Sequence, residues 1–409
     1  MLRRLPDDNI RAVLWRFAGR EDLRRIVGAA RAVARGPVAR LVAHGARHSD
    51  AWTPDKAALV KAFDEAGLSV LAADGEYGGP IQGPKNLGIA LAAFELAWVD
   101  AGAATTMLGN VLALAPIHER GTDDQRARYM RLVAPGQPGE ARDPWHGAFV
   151  LTEPLPHAGV DIGVLDGKMR IAEWKPGQEP VLQIDKRGRF ITGMGHADFV
   201  AAAVASADER IKGTAFVLIE KHDEGTFDPG VRARKLVHQL ASARDPVFSV
   251  RVPASRIIGG YTVKDGALVP NCAHGEIIDA VFRRTRVTVG LMTAAKMLSV
   301  VEPVIRYHRG RFRGAGAAQP GSRRFELGLQ QEEDALHRLV DVWASGEAAA
   351  SLGFAAARVF DELDPLERAK DEYFAGQGVA PGRAERRALE PAEKDALAYL
   401  AERAKPADA

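Results

Sequence analysis

Two short stretches combine residue types that could hold a bound molecule. The first is Leu151-Thr152-Glu153-Pro154-Leu155-Pro156-His157-Ala158-Gly159-Val160-Asp161, directly after the apolar run Gly147-Ala148-Phe149-Val150. A Thr at the end of a strand offers a hydroxyl and a backbone amide, and the Pro and Gly behind it let the chain fold tightly around a ligand. The second is Phe190-Ile191-Thr192-Gly193, another strand end that presents an aromatic ring and a Thr. His157 reads as an exposed loop residue.

The elements around these stretches follow from periodicity. Residues 9 to about 146 read as helices. Leu59, Val60, Ala62 and Phe63 fall at helical spacing and Gly67 ends that helix. The Gly-rich turn Asp74-Gly75-Glu76-Tyr77-Gly78-Gly79 precedes a long apolar helix through Leu87 to Ala97. Thr122, in Gly121-Thr122-Asp123-Asp124-Gln125, is placed to cap a further helix. From 147 to about 262, Val181–Ile184, Phe199–Val204, Thr214–Ile219 and Pro246–Val250 read as strands, with a hairpin turn expected at Asp166-Gly167. From Ile277 the helical period returns, first through Arg286 to Ile305 and again through Glu332 to Phe360. Beyond Pro365 the residues are polar and charged, as in a solvated segment. The expected architecture is α+β, with a helical region 1–146, a β-barrel or sandwich 147–262 and a C-terminal helical region 263–409.

Composition narrows the class of function. With 409 residues, 46% of them hydrophobic, the chain can bury a large core. A net charge of +2 gives no electrostatic case for nucleic acid or an anionic membrane. Cys272 is the single cysteine, which excludes an internal disulfide and any multi-cysteine metal site; no metal is expected. No apolar run stands out as long enough to span a bilayer. The N-terminus turns acidic at Asp7-Asp8 and lacks a signal-peptide core, so a cytoplasmic location is the default expectation.

The two strand-end stretches together resemble the T-E-P-x-A-G-S-D and W-I-T-N segments of the acyl-CoA dehydrogenase family, which line the flavin of FAD in a middle β-domain. Here they read Thr152-Glu153-Pro154 followed by Ala158-Gly159-Val160-Asp161, two residues longer, and Phe190-Ile191-Thr192-Gly193. The resemblance extends from about residue 55 to 360, including the turn at Asp74 and the exit Val252-Pro253-Ala254-Ser255-Arg256-Ile257-Ile258-Gly259. It implies FAD as cofactor and α,β-dehydrogenation of an acyl-CoA thioester: a carboxylate takes the α-proton while the β-hydrogen leaves as hydride. It further implies that Thr152, Gly159, Val160, Phe190 and Thr192 line the flavin. Val160 replaces the family's Ser, which removes one polar contact. Arg309-Gly310-Arg311-Phe312 resembles an R-x-x-F segment that reaches a neighbour's FAD pyrophosphate, a role suited to bidentate Arg309 with Phe312 beside it. A solvated basic helix end is the plainer reading of the same residues.

The carboxylate itself is not evident. One branch of the family places a Glu directly before the Arg of Arg283-Arg284-Thr285-Arg286; here that position is Thr285, with Arg286 in a supporting place. The other branch uses an E-G-T segment after a G-G-x-G stretch, and neither occurs after Phe360. Glu276 and Asp279 are the carboxylates nearest the helix concerned, and Glu362, Glu367 and Glu372 read as solvated. Two long helices are half of a four-helix bundle and leave an apolar face open. The expectation is a dehydrogenase subunit whose bundle, Gly stretch and Glu are completed by a homologous partner, with an electron-transfer flavoprotein as acceptor. A non-catalytic, dehydrogenase-like interaction subunit without FAD is the alternative, and a truncated longer chain would look the same. An oxidase using oxygen directly stays open, as does the acyl group.

Overall fold

The computed structural model describes residues 19–45, 50–136, 140, 142–156, 164–233, 242–309 and 333–376. Helix α1 (Glu21–Val33) buries Leu23, Ile26, Val27, Ala30 and Val33, a stripe at three- and four-residue spacing. A π-turn at Ala34–Val38 leads into α2 (Ala39–Ala43). Helix α3 (Pro54–Glu65) starts where sequence rules place a start: Thr53 accepts from the Lys56 amide at 3.3 Å and Pro54 needs no donor at N1. Helices α4 (Asn86–Val99) and α5 (Ala101–Arg120) are buried on almost every side. Asp100 caps α5 through the Ala103 amide, and Thr122 and Gln125 form the full capping box of α6 (Asp123–Val133).

Seven strands make one curled sheet. They are β1 (Gly147–Val150), β2 (Lys168–Glu173), β3 (Val181–Arg187), β4 (Phe199–Ser206), β5 (Thr214–Glu220), β6 (Glu224–Asp228) and, after the short β7 (Val231–Arg232) and β8 (Ala243–Arg244), β9 (Val247–Pro253). Their order is β1-β4-β2-β3-β9-β6, with β5 paired to β4. The sheet has its own apolar interior, formed by Ile184, Val200, Val217, Phe248 and Val250 among others. The hairpin expected at Asp166-Gly167 is not one. Strands β1 and β2 do not pair; each lies parallel to β4, in the registers Gly147↔Phe199 and Lys168↔Ala205. The intervening loop is therefore a crossover, and both of its ends lie against the same strand. A small hairpin of β10 (Tyr261–Lys264) and β11 (Ala267–Pro270) follows.

Two long helices close the chain, α7 (His274–Arg309) and α8 (Glu333–Gly376). The expected end of the second helix at Phe360 is corrected here, because α8 continues through Pro365 to Gly376. The expectation that no apolar run is long enough to span a bilayer is corrected too: His274–Tyr307 meets that length and composition. Packing accounts for it. Lys296 donates to the carbonyls of Trp98 and Val99 at the end of α4, and Leu291 and Leu298 sit against Gly353 and Gly346 of α8. A Cβ at either glycine would come within 2.8 Å of a leucine carbon, so these two glycines let the helices approach closely. In turn Asp361 of α8 accepts from the Asn86 and Leu87 amides, capping α4 from another element.

Helices and sheet meet at His146, just ahead of β1. Its Nε2 lies 3.0 Å from Asp64 of α3, and its amide donates to Asp198, just ahead of β4, at 2.8 Å. Asn110 of α5 makes a second tie, donating to the Ser69 carbonyl and accepting from the Gly147 amide, both at 2.7 Å. A buried amide that satisfies two backbone groups at once fixes β1 against α5.

Candidate functional site

The two strand-end stretches come together. Thr152 lies just beyond β1, and its Oγ1 donates to the Arg189 carbonyl at 2.6 Å while its own carbonyl accepts from the Arg189 amide at 2.9 Å. With its proton so engaged, the hydroxyl presents lone pairs outward as acceptors. Phe190 follows with φ of 56° and remains 44% exposed. An aromatic residue in the left-handed region is a strained conformation, and such strain concentrates at ligand sites. Its neighbours hold it there: Arg189 through Thr152, and Ile191 through reciprocal bonds with Ala243. The Arg189 guanidinium lies 5.1 Å from the Phe190 ring centre.

Thr192 is half-buried and Gly193 turns the chain at φ of 80°. Helix α5 backs this turn through Gly109, where a Cβ would stand 3.3 Å from the Thr192 methyl and 3.4 Å from the Gly193 Cα. The absence of a side chain at Gly109 is what brings the helix up to the strand ends.

Behind Thr152 is a buried ion pair that sequence reasoning missed. Glu153, 1% exposed, accepts from Lys186 Nζ at 2.5 Å and from the amides of Asp166 and Gly167 at 2.8 Å each. Lys186 also donates to the Leu151 carbonyl. Burial pushes the Glu153 carboxyl up, but the facing ammonium and the two amides outweigh it and hold the group below its usual range. The signal was present in β3. Its alternation sends Leu182, Ile184 and Lys186 to the buried face, and a lysine in that register requires a buried anion. The crossover leaves Glu153 and returns at Asp166, and Leu155 and Val164, near its two ends, are exposed.

Helix α7 reaches the same region through stacked rings. Phe149 of β1 packs on Phe216 at 4.8 Å and against Phe282 of α7 at 5.9 Å, and Arg286 lies over Phe282. Arg286 is exposed, while Thr285 is half-buried and donates back to the Val281 carbonyl. Arg309 is the last helical residue of α7. Gly159, Val160 and Phe312 lie outside the described residues, as does His157. The structure thus brings together Thr152, Phe190 and Thr192, with Arg286 one ring pair away from β1. Among the described residues no cluster of His, Cys, Asp or Glu could hold a metal ion.

A separate cleft of mixed polar and apolar lining lies between α4, α5, α7 and α8, with Lys85, His118, Glu119, Thr285, Thr288 and Asp364 among its polar residues. Helix α5 contributes Val111, Ala115 and His118 to it, about half a turn around from Gly109 and Ala113, which face the sheet. The helix therefore stands between this cleft and the strand ends.

Comparison with known proteins agrees with this architecture. The family model described as the acyl-CoA dehydrogenase N-terminal domain matches residues 20–137. A probable medium-chain specific acyl-CoA dehydrogenase 2, mitochondrial, from Caenorhabditis briggsae is 28% identical over 188 residues. That alignment covers 45% of this chain and 42% of the relative, less than half of its length. Among solved structures, the butyryl-CoA dehydrogenase of Megasphaera elsdenii superposes with a TM-score of 0.65 at 21% identity, covering 83% of this chain and 80% of the other. A glutaryl-CoA dehydrogenase of Mycobacterium smegmatis in complex with FADH2 gives 0.63 at 18% identity, covering 83% and 76%. With its helical region, curled sheet and paired strand ends in this order, the chain has the fold of these dehydrogenases, and its residues 20–137 match the family's N-terminal domain.

Proposed function

We propose that this chain binds FAD at the paired strand ends and takes part in the α,β-dehydrogenation of an acyl-CoA thioester. The observation that carries the reading is the convergence of Thr152, Phe190 and Thr192 at one exposed site, with Phe190 held at φ of 56°. The residues fit an isoalloxazine: Thr152 and Thr192 would offer hydrogen bonds to its polar groups and Phe190 an aromatic face. When bound, the flavin supplies the hydride acceptor. The chain's own part is to hold that ring flat, keep water from it and orient the thioester.

The base is the finer part of the proposal. Thr285 occupies the place where one branch of the family has its carboxylate, and its hydroxyl is tied to Val281. A homologous partner subunit supplies the carboxylate and covers the outer faces of α7 and α8, where Val289, Tyr307, Val340, Trp343 and Leu352 are exposed. An electron-transfer flavoprotein is the electron acceptor in this reading. The position of Thr285 also favours a second reading, a non-catalytic subunit that keeps the fold.

The test is to purify the chain with whatever accompanies it, record the visible spectrum, and add acyl-CoA thioesters of different chain length under anaerobic conditions. Flavin absorbance that bleaches with one thioester, in a particle containing a second polypeptide, is the expected result. A colourless preparation that fails to take up added FAD, with or without a partner, overturns the flavin site. Flavin that no thioester reduces favours the second reading.

A further inference from the structure

Several half-buried arginines of this chain are met by acids. Arg20 pairs with Asp22 and Arg31 with Glu95, at 2.8 Å each, and Arg256 pairs with Glu220. Arg189 is the contrast. It is half-buried too, yet among the described residues it pairs with no carboxylate and its guanidinium gives no hydrogen bond. The contact it does make is with the ring of Phe190, whose centre lies 5.1 Å away. A guanidinium carries its N–H donors in a rigid planar fork and is always charged, so a half-buried one without an acceptor has its capacity for recognition unused. The backbone around it is fixed. Its amide donates to the Thr152 carbonyl at 2.9 Å, and its carbonyl accepts from Thr152 Oγ1 at 2.6 Å. Phe190 follows at φ of 56° and is 44% exposed, and Ile191 is tied to Ala243 by bonds in both directions. A positive charge therefore stands on an exposed ring at the joined strand ends.

We propose that Arg189 is a further binding residue of this site and takes a diphosphate group through its guanidinium. Diphosphate is the anion that both molecules of the proposed reaction carry, FAD in its bridge and an acyl-CoA in its nucleotide half. A planar fork of donors matches two oxygens of such a group at once. To that extent the inference rests on the proposed function; recognition of the anion itself does not. The plain alternative is an arginine that stacks on its sequence neighbour and otherwise faces water. Its place argues against that. The guanidinium is held at strand ends that also present Thr152 and a strained aromatic residue, and such strain gathers at ligand sites. A side chain already settled on a ring also loses less freedom when an oxyanion binds it.

The experiment uses the full chain, with whatever accompanies it, as wild type, R189M and R189K. Each is titrated calorimetrically with inorganic pyrophosphate, FAD, coenzyme A and riboflavin, the last being the ring system without phosphate. Thr152 bonds the backbone of Arg189 and not its side chain, so near-ultraviolet circular dichroism should be the same in all three. The wild type should bind pyrophosphate, and R189M should bind it about tenfold more weakly or worse, as for the loss of a charge-assisted bidentate contact. R189M should weaken by a similar factor with whichever of FAD and coenzyme A places its diphosphate here, and by less than about twofold with riboflavin. R189K, a point charge without the fork, should fall between. Equal pyrophosphate affinity in wild type and R189M overturns the proposal, as does a wild type that does not bind pyrophosphate. A loss of riboflavin affinity as large as that of FAD overturns it too, because Arg189 would then act only as a support for Phe190. If pyrophosphate and coenzyme A depend on Arg189 while the wild type takes up no FAD, the flavin reading fails by itself and Arg189 stands as the anion-binding residue.

Discussion

Helices α4 and α5 and helices α7 and α8 each carry apolar residues on more than one side and end in different environments. The first pair is enclosed. Of the fourteen residues of α4, ten are buried, and Phe94 packs on Trp98 at 6.0 Å and on Phe354 of α8 at 5.2 Å. The second pair is covered on its inner faces only. Leu291 and Leu298 disappear against glycines of α8, while Val289, Val340, Trp343 and Leu352 remain outside. An apolar residue on the inner face is fixed by its neighbours in this chain; one on the outer face has nothing among the described residues to bury it. The difference sets a pair that carries stability apart from a pair that, in the proposed reading, carries association.

The largest effect that would sharpen this contrast is at the point where the pairs touch. Phe94→Ala should destabilise the chain by about 3–5 kcal/mol, since the surrounding helices cannot collapse around the lost ring. A denaturant titration that finds less than about 1 kcal/mol would show that α4 is not the enclosed element it looks to be.

The next effect concerns the joint that holds the enclosed helices to the sheet. Burial disfavours a charged His146, but Asp198 and Asp64 more than offset it and raise its pKa to about 9. Lys221 pairs with Asp198, Ser69 donates to Asp64, and the His196 ring lies against His146 at 5.0 Å. A folded-state pKa above the unfolded value near 6.5 gives stability that is fully present below that value and is lost as pH rises through about 9. The melting temperature should therefore fall between pH 7 and 10, by the equivalent of roughly 3 kcal/mol at most. His146→Gln should remove most of that slope. An unchanged pH profile in the variant would mean that His146 does not couple helices to sheet.

The smallest effect on stability should come from the open pair. Trp343→Ser together with Leu352→Ser should change the unfolding free energy of the isolated chain by about 0.5 kcal/mol or less, as usual for exposed positions. The same double change should abolish association with a partner subunit, as read by native mass. If it unfolds the chain instead, the outer faces are covered from within and the comparison with α4 and α5 fails.

Much of the frame was legible because short-range rules decide it. Thr122 stands ahead of its helix as a cap, and the alternation of β3 appears directly in its burial. The turn at Asp166-Gly167 was not legible. Asp-Gly favours a hairpin locally, yet the pairing of β1 and β2 with β4 overrides that preference, and the two amides there serve Glu153 instead. The site divides the same way. Thr152 and Thr192 could be singled out by type and by resemblance, whereas the bonds from Glu153 to the Asp166 and Gly167 amides needed the folded chain.

By itself the sequence pointed to the long helices and to the apolar strands β1, β3, β4, β5 and β9, and singled out two threonines at strand ends as candidates for a ligand. Those properties depend on caps, periodicity and side-chain type within a few residues. Tertiary structure alone decided that Thr152 bonds Arg189, that Gly109 lets α5 approach Thr192, and that Lys186 finds Glu153. Each of these joins residues more than thirty positions apart, and no local rule of hydrogen bonding or packing specifies a partner at that distance.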